Sequence, residues 1–312
     1  MKNNEKISVV VPVYGCPKAL PELYKRVVDV FIDLNVDYEI ILVNDGCPDG
    51  SWLEIEKICS KDENVMGIDL LRNFGQIHAT NAGVDYATGD YIVVMDCDLQ
   101  DKPEAIKDLY NKMLEGNDVV FVKRKNRKDN VFAITMSKLF YKIYNHYVSG
   151  YYDSDICNFC IVSKKVVDEY KKINDNNKSF TTTICWLNYK TDYIVYESEK
   201  RYEGKSSYTL GKKIDLAIDM LTSQSNKPLK TLIKFGVIVS IVGFIYLISQ
   251  IVLYFIQGNI NEGWTSIIAS IMLFGGFVLI SVGAVGIYVG NIFVQTKNLP
   301  GYIIKEIKNE KR

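Results

Sequence analysis

Histidine is almost absent. The 312 residues hold two, His78 and His146, so chemistry that relies on an imidazole base or a histidine metal cluster has little to work with. Net charge is absent as well: 37 basic and 37 acidic residues cancel, and no global field recommends nucleic acid as a partner. The amino terminus, MKNNEKISVVVPVYG, lacks the long apolar core of a secretory leader, because its run stops at Pro12 and Tyr14. The first two-thirds of the chain is therefore expected in the cytosol. Seven cysteines, an odd number, are scattered through apolar contexts, which suits a reducing compartment better than a disulfide framework. Cys157 and Cys160 form a CxxC with no second CxxC, so core packing is expected rather than a metal or redox role.

What is present is alternation. Residues 6 to 123 switch between β-rich runs and helical stretches, a pattern that predicts an α/β fold with a mostly parallel sheet covered by helices on both faces. The expected strands are KISVVVPVY, YEIILVND, VMGIDLL, YIVVMD and DVVFVKR. LPELYKRVVDVFIDL, SWLEIEKICS, QIHATNAGVDYA and PEAIKDLYNKMLE carry apolar residues at helical spacing, with Pro103 suited to a first turn. In such sheets ligands bind beyond the carboxyl ends of the strands. The first expected strand ends in Pro12 and Tyr14, the second in Asn44, Asp45 and Gly46, and the fourth in Asp96 and Asp98.

From Thr231 the character changes. Residues 231–256 and 264–294 each exceed the ~20 apolar residues that cross a bilayer, which predicts a two-helix hairpin. The linker 257–263 has no lysine or arginine, whereas Lys227, Lys230, Lys297, Lys305, Lys308, Lys311 and Arg312 flank the outer ends. That asymmetry places both termini and the first domain on the cytoplasmic side of the inner membrane, as a multi-pass protein. Expected boundaries are a cytoplasmic domain over 1–225, the membrane hairpin over 226–300, and a basic tail over 301–312. Residues 132–148, and a second stretch around 209–225 with Leu210, Ile214, Ile218 and Leu221, suit helices packed on the sheet or lying in a membrane interface. Gly236 and Gly243, and Gly276, Gly283 and Gly290, recur every seven residues and suit close helix contact, within the hairpin or between protomers of a homo-oligomer. With no acid or arginine inside either span, a channel or pump is disfavoured.

Two carboxylates separated by one residue at a strand end repel each other unless something cationic shares the site. Asp96 and Asp98 can hold a hard divalent cation, Mg2+ or Mn2+, which favours oxygen ligands and bridges protein carboxylates to phosphates. Gln100 could add an amide oxygen.

The stretches SVVVPVY, EIILVNDGCPDGSW, LLRNFGQIHATNAGVDYATGDYIVVMDCDLQDKPEAI and KRYEGKSSYTLGKKIDLAIDM resemble the family 2 glycosyltransferases. Within them they resemble the membrane-anchored polyprenyl-phosphate enzymes related to dolichol-phosphate mannose synthase. The resemblance covers residues 6 to about 125 and 190 to 230, and continues as architecture through the hairpin. It implies a GT-A, Rossmann-like domain and metal-dependent, inverting transfer from a nucleotide-diphosphate sugar, with uridine favoured, to a polyprenyl phosphate such as undecaprenyl phosphate, feeding glycan modification at the cell surface. It further implies that Pro12, Val13, Tyr14, Asp45, Arg72 and Asp96 contact the nucleotide, and that Asp96, Asp98 and Gln100 handle the metal. Arg201 in RYEGKSSY, with Ser206 and Tyr208 beside it, would close over phosphates, and Arg124 and Arg127 would face the acceptor phosphate, where guanidinium forks match phosphate oxygens. Asp155 survives from a family motif facing the sugar or acceptor. In that motif Asn158 and Cys160 replace the usual acid and arginine, while Gly15 and Cys16 stand where an Asn-Glu pair is common.

Two rivals stand beside this reading. A glycosyltransferase acting on a glycan hydroxyl would need a carboxylate base, for which Asp101 and Asp155 are candidates. A non-catalytic nucleotide-sugar binding subunit would retain the cleft without turnover.

Overall fold

The computed structural model describes residues 3–125, 131–147, 153, 155–175, 178–197, 225, 227–257, 263–297 and 299–310. All five expected strands form: β1 (Asn3–Val13), β2 (Val36–Asn44), β3 (Val65–Leu70), β4 (Tyr91–Val94) and β5 (Val119–Lys125). So do the four helices between them: α1 (Leu20–Leu34), α2 (Ser51–Cys59), α3 (Gln76–Tyr86) and α4 (Ala105–Leu114). Pro103 stands just ahead of α4 rather than inside its first turn, in a tight turn where Ile106 donates its N–H to the Pro103 carbonyl at 3.0 Å.

Three further strands complete the sheet: β6 (Ile156–Ser163), β7 (Thr191–Glu197) and β8 (Ile304–Lys308), with α5 (Val131–Tyr147), α6 (Lys164–Lys172) and α7 (Phe180–Leu187) between or beside them. The order is β7-β5-β6-β4-β1-β2-β3-β8. β1 pairs in parallel with β2 and β4, β2 with β3, and β5 with β7, whereas β6 is antiparallel to β4 and β5, and β8 to β3. Six strands therefore run one way, and the amino ends of β6 and β8 lie at the edge where the other six finish.

β1 is central, and its apolar run is continuous because both faces are covered. Val9, Val11 and Val13 enter the main core with Leu20, Leu23 and Val27 of α1. Val10 points to the other face, where α3 lies so close that a Cβ on Gly83 would stand 2.4 Å from the Val10 side chain. Each such fully buried valine or leucine contributes about 1.5–3 kcal/mol.

Residues 301–312, expected as a basic tail, contain β8, which closes the β3 edge of the sheet. Its anchor is electrostatic. Lys305 Nζ lies 2.8 Å from Asp69 Oδ2, and the other Asp69 oxygen accepts the Asn44 Nδ2–H at 2.7 Å, with Asp69 and Asn44 both buried. Asn309 Nδ2 donates to the Cys59 and Val65 carbonyls at 2.7 and 2.9 Å. A buried carboxylate stripped of its cation is costly, so Lys305→Met should lower the melting temperature of the detergent-purified protein while Lys305→Arg retains it. Adding Asp69→Asn to Lys305→Met should recover part of the loss, and full retention of stability in Lys305→Met alone would refute the role of the pair.

The remaining long elements are α8 (Lys227–Gln257) and α9 (Trp264–Thr296). They form a unit separate from the sheet, and the last residues of the chain belong to the sheet's unit. Among the described residues, one stretch has the length and composition to cross a membrane: Phe274–Thr296, 23 residues with mean hydropathy 2.2 and none of it buried. Among the described residues, nothing lies within 4 Å of where a Cβ would stand at Gly236, Gly243, Gly276, Gly283 and Gly290. The expected close contact at these glycines is therefore not made within the hairpin, which leaves contact between protomers as the form that expectation takes. An edge-on contact of Phe235 with Phe277, centroids 5.5 Å apart, joins the two helices instead.

Candidate active site

The carboxyl edge collects three loops. At the end of β1, Pro12 and Val13 are buried, and Tyr14, just beyond it, is exposed. The Asp45 N–H extends the β1–β2 ladder by donating to the Val13 carbonyl at 3.0 Å. Beyond β2, Gly46 has φ +59° and packs so tightly that a Cβ there would lie 2.3 Å from the Arg72 carbonyl carbon. That contact fixes the RNFG segment, residues 72–75, against the β2 loop.

Asp45 is buried and its carboxylate accepts the Phe74 N–H at 2.7 Å and the Gly75 N–H at 3.0 Å. Burial raises its pKa above the usual carboxylate range, and the two backbone bonds pull the other way. Expected as a nucleotide contact, Asp45 is seen holding the loop that precedes α3. Arg72, expected beside the nucleotide, is exposed, with its guanidinium stacked 4.4 Å over the Phe74 ring. His78 on α3 is half-buried, and burial followed by the nearby Arg72 charge lowers its pKa, favouring neutral imidazole.

Beyond β4, Asp96 and Asp98 are half-buried at the edge. Asp96 Oδ1 accepts the Gln76 Nε2–H at 2.6 Å, and Asp98 Oδ1 accepts the Gln100 N–H at 3.1 Å. Between Asp98 and Gln100, Leu99 adopts φ +58°, a conformation that costs an ordinary residue about 1–2 kcal/mol. Gln100 contributes its backbone N–H to this turn.

Two carboxylates on one tight turn are hard oxygen donors, the chemistry that Mg2+ or Mn2+ prefers. Among the described residues no group of three His, Cys, Asp or Glu side chains could hold a metal. A cation held by Asp96 and Asp98 would take its remaining ligands from diphosphate oxygens and water, as Mg2+ commonly does.

Asp155 precedes β6, whose amino end reaches the same edge because β6 runs antiparallel; its N–H is held by Asp153 Oδ1 at 3.1 Å. Asp101 is buried. Cys157 and Cys160 are buried in β6, as core residues should be. Arg124 pairs with Tyr196 across β5 and β7. Arg127, Arg201, Ser206 and Tyr208 lie outside the described residues, as does the stretch 209–224.

Sequence reasoning missed two features. Gln76 reads as one polar residue of a helix, and only the fold brings it to Asp96. The other is a covalent link: Cys16 and Cys97 form a disulfide across 81 residues of chain, with Cα atoms 6.5 Å apart. This single bond stands against a cysteine pattern that suited a reducing compartment better than a disulfide framework. Because β1 and β4 are hydrogen-bonded neighbours, and Met95 N–H still donates to the Val10 carbonyl at 3.2 Å, the residues just beyond their ends are brought together.

Removing the Gln76 amide leaves Asp96 without that fixed partner. A hydrogen bond to a charged group is worth about 1.5–3 kcal/mol, so Gln76→Ala should weaken nucleotide-sugar affinity about tenfold in the presence of Mn2+. Unchanged affinity by calorimetry would remove Gln76 from the site.

An open, mostly parallel α/β sheet of this order, with paired carboxylates at its carboxyl edge, defines a glycosyltransferase of the GT-A type. Residues 8–171 match the model of Glycosyl transferase family 2, and the chain belongs to that family. It is 35% identical over 311 residues to the Bacillus subtilis glycosyltransferase YkcC, covering 98% of this chain and 95% of that protein. It is 34% identical over 304 residues to an Escherichia coli prophage bactoprenol glucosyl transferase homolog, covering 97% and 99%. It is also 34% identical to the bactoprenol glucosyl transferase of Shigella phage SfV, covering 98% and 100%. Among solved structures, the mannosyltransferase PcManGT from Pyrobaculum calidifontis in complex with GDP-Man and Mn2+ superposes with a TM-score of 0.51 at 11% identity, covering 94% of this chain and 87% of that one. At that identity the likeness bears on the fold alone.

Proposed function

We propose that the protein transfers a sugar from a nucleotide-diphosphate sugar, with UDP favoured, to polyprenyl phosphate at a membrane, inverting the anomeric carbon in one displacement. The observation that carries this reading is the extent of the likeness: the match to bactoprenol glucosyl transferases runs over nearly the whole chain, sheet and long helices alike.

The chemistry of the edge agrees with it. A phosphate monoester is largely ionised near neutral pH, its second pKa being about 6, and such a nucleophile needs no general base. Of the carboxylates described at this edge, Asp45 is engaged by backbone N–H groups and Asp101 is buried, which leaves Asp155 as the candidate base for the hydroxyl-directed rival. Asp96 and Asp98 would hold a divalent cation, which when bound neutralises charge developing on the leaving diphosphate. Arg124, Arg127 and Arg201, with Ser206, are proposed to grip phosphates on the donor and acceptor side.

The connections favour a membrane acceptor. The chain leaves the sheet after Glu197 and returns at Ile304, opposite Leu70, and both points lie on the carboxyl edge that carries the carboxylates. Because β7 and β8 belong to one sheet, any crossings between them must be even in number. If Phe274–Thr296 crosses, α8 crosses as well, and the catalytic domain and both termini share the cytoplasmic face.

The test offers purified protein a panel of radiolabelled nucleotide sugars with Mn2+ and polyprenyl phosphate as the sole acceptor, followed by organic extraction. Label in the lipid phase supports the proposal. Label only when a glycan acceptor is added would favour the hydroxyl-directed rival, and no transfer in either arm would favour the binding subunit.

A further inference from the structure

Cys97 stands between Asp96 and Asp98, and its sulfur is bonded to Cys16, three residues beyond the end of β1. The bond therefore ties the turn that carries both carboxylates to the Pro12–Tyr14 segment expected to cradle the nucleotide. Both cysteines are nearly inaccessible, at 2% and 7% exposure, and both belong to the main apolar core. A third cysteine reaches the same place from the β2 loop, where Cys47 Sγ accepts the Gly15 N–H at 3.2 Å. Burial pushes the Cys47 thiol up, so at neutral pH it is protonated and a poor attacker of the neighbouring bond. Of the other four cysteines, Cys59 lies in α2 and Cys185 in α7, while Cys157 and Cys160 lie in β6, Cys160 opposite Val94 at the end of β4.

We infer that Cys16 and Cys97 are a redox-sensitive positioning pair for the donor site: their disulfide holds the Asp96–Asp98 turn in its nucleotide-binding arrangement, and reduction to two thiols loosens it. The inference rests on the proposed reading of that turn as the diphosphate site. The reductant is a dithiol. Its thiolate attacks one sulfur, the other leaves as a thiolate and takes a proton, and the second thiol of the reductant resolves the mixed disulfide. Two electrons and two protons pass to the cysteines, and the reductant ends as a disulfide. Oxidation by a small-molecule disulfide reverses the sequence.

Two consequences follow from position. Pre-organising a binding loop strengthens binding by reducing what must be ordered on association, so reduction should raise the KM for nucleotide sugar more than it lowers kcat. A ligand held at the Asp96–Asp98 turn would restrain the backbone on both sides of Cys97, so bound nucleotide should slow reduction.

The experiment uses the full chain in detergent, prepared with oxidised glutathione or with dithiothreitol. Thiols are counted by alkylation and mass spectrometry, and affinity for UDP and for GDP is measured with Mn2+. The expected results are two fewer alkylated cysteines in the oxidised form, mapped to Cys16 and Cys97, and about fivefold weaker nucleotide binding on reduction. Dithiothreitol should act more slowly when nucleotide and Mn2+ are bound. The Cys16→Ser/Cys97→Ser variant should match the reduced form under both conditions. The wild-type comparison needs no variant to fold. Equal affinity in the two redox forms, or free thiols at both positions after oxidation, would overturn the inference and leave the proposed function standing. Failure of both nucleotides to bind either form would overturn both.

Discussion

Asp98→Ala, and separately Asp96→Ala, should reduce sugar transfer by roughly a hundred- to a thousandfold, the scale seen when one electrostatic contact to developing charge is lost. Neither should unfold the protein. Both side chains are half-buried at the sheet edge, and placing two carboxylates on one turn costs repulsion that either substitution relieves. Melting temperature should therefore hold or rise slightly while activity falls. Chelation of divalent cations with EDTA should have the same effect on the wild-type enzyme, reversed by Mn2+ or Mg2+, and should add little to the loss in either variant. Near-normal transfer by both variants would end the metal proposal. A parallel loss of stability and activity would instead make the pair a structural element. The Asp96 variant carries a further signature, because it also strands the Gln76 amide: Gln76→Ala on that background should cost little more, since the two residues act through one contact.

Gly46→Ala should be the most damaging single-carbon addition at the site. Its φ of +59° is left-handed, which costs an L side chain about 1–2 kcal/mol, and the new Cβ would meet Arg72 backbone at 2.3 to 2.8 Å. Backbone cannot swing aside as a flexible side chain does, so overpacking adds about 1–3 kcal/mol. The melting temperature should fall by roughly 5–15 °C. Because the displaced segment is the one whose Phe74 and Gly75 N–H groups engage Asp45, nucleotide affinity should fall with it. Gly50→Ala supplies the control. Gly50 also has positive φ, at +87°, but nothing lies within 4 Å of its Cβ position, so its cost is limited to the conformational part. Equal effects at Gly46 and Gly50 would show that the contact with residues 72–73 has no weight.

Local pattern carried much of this architecture. VVVPV is buried on both faces and reads as a central parallel strand, and α1 begins and ends where its apolar spacing does. The D-x-D turn announces itself because two acids following an apolar strand need a physical reason to be there. β6, β7 and β8 were harder. ICNFCIVS and TDYIVYE are short runs that fall after the regular β–α alternation of residues 6–123, and β8 is a lysine-rich segment, IKEIK, that pairs where β3 offers an edge and Asp69 offers a buried charge for Lys305.

The order of residues along the chain alone determined the α/β alternation, the acidic turn after β4 and the apolar helices that follow, because each depends on neighbours within one element or one loop. The Cys16–Cys97 bond, the Gln76 grip on Asp96, the Asp45 hold on residues 74–75 and the return of the last strand to the sheet were decided only by tertiary structure. Each joins groups 20 to 236 positions apart, and at such separations the partner is chosen by which strand ends the sheet order places side by side.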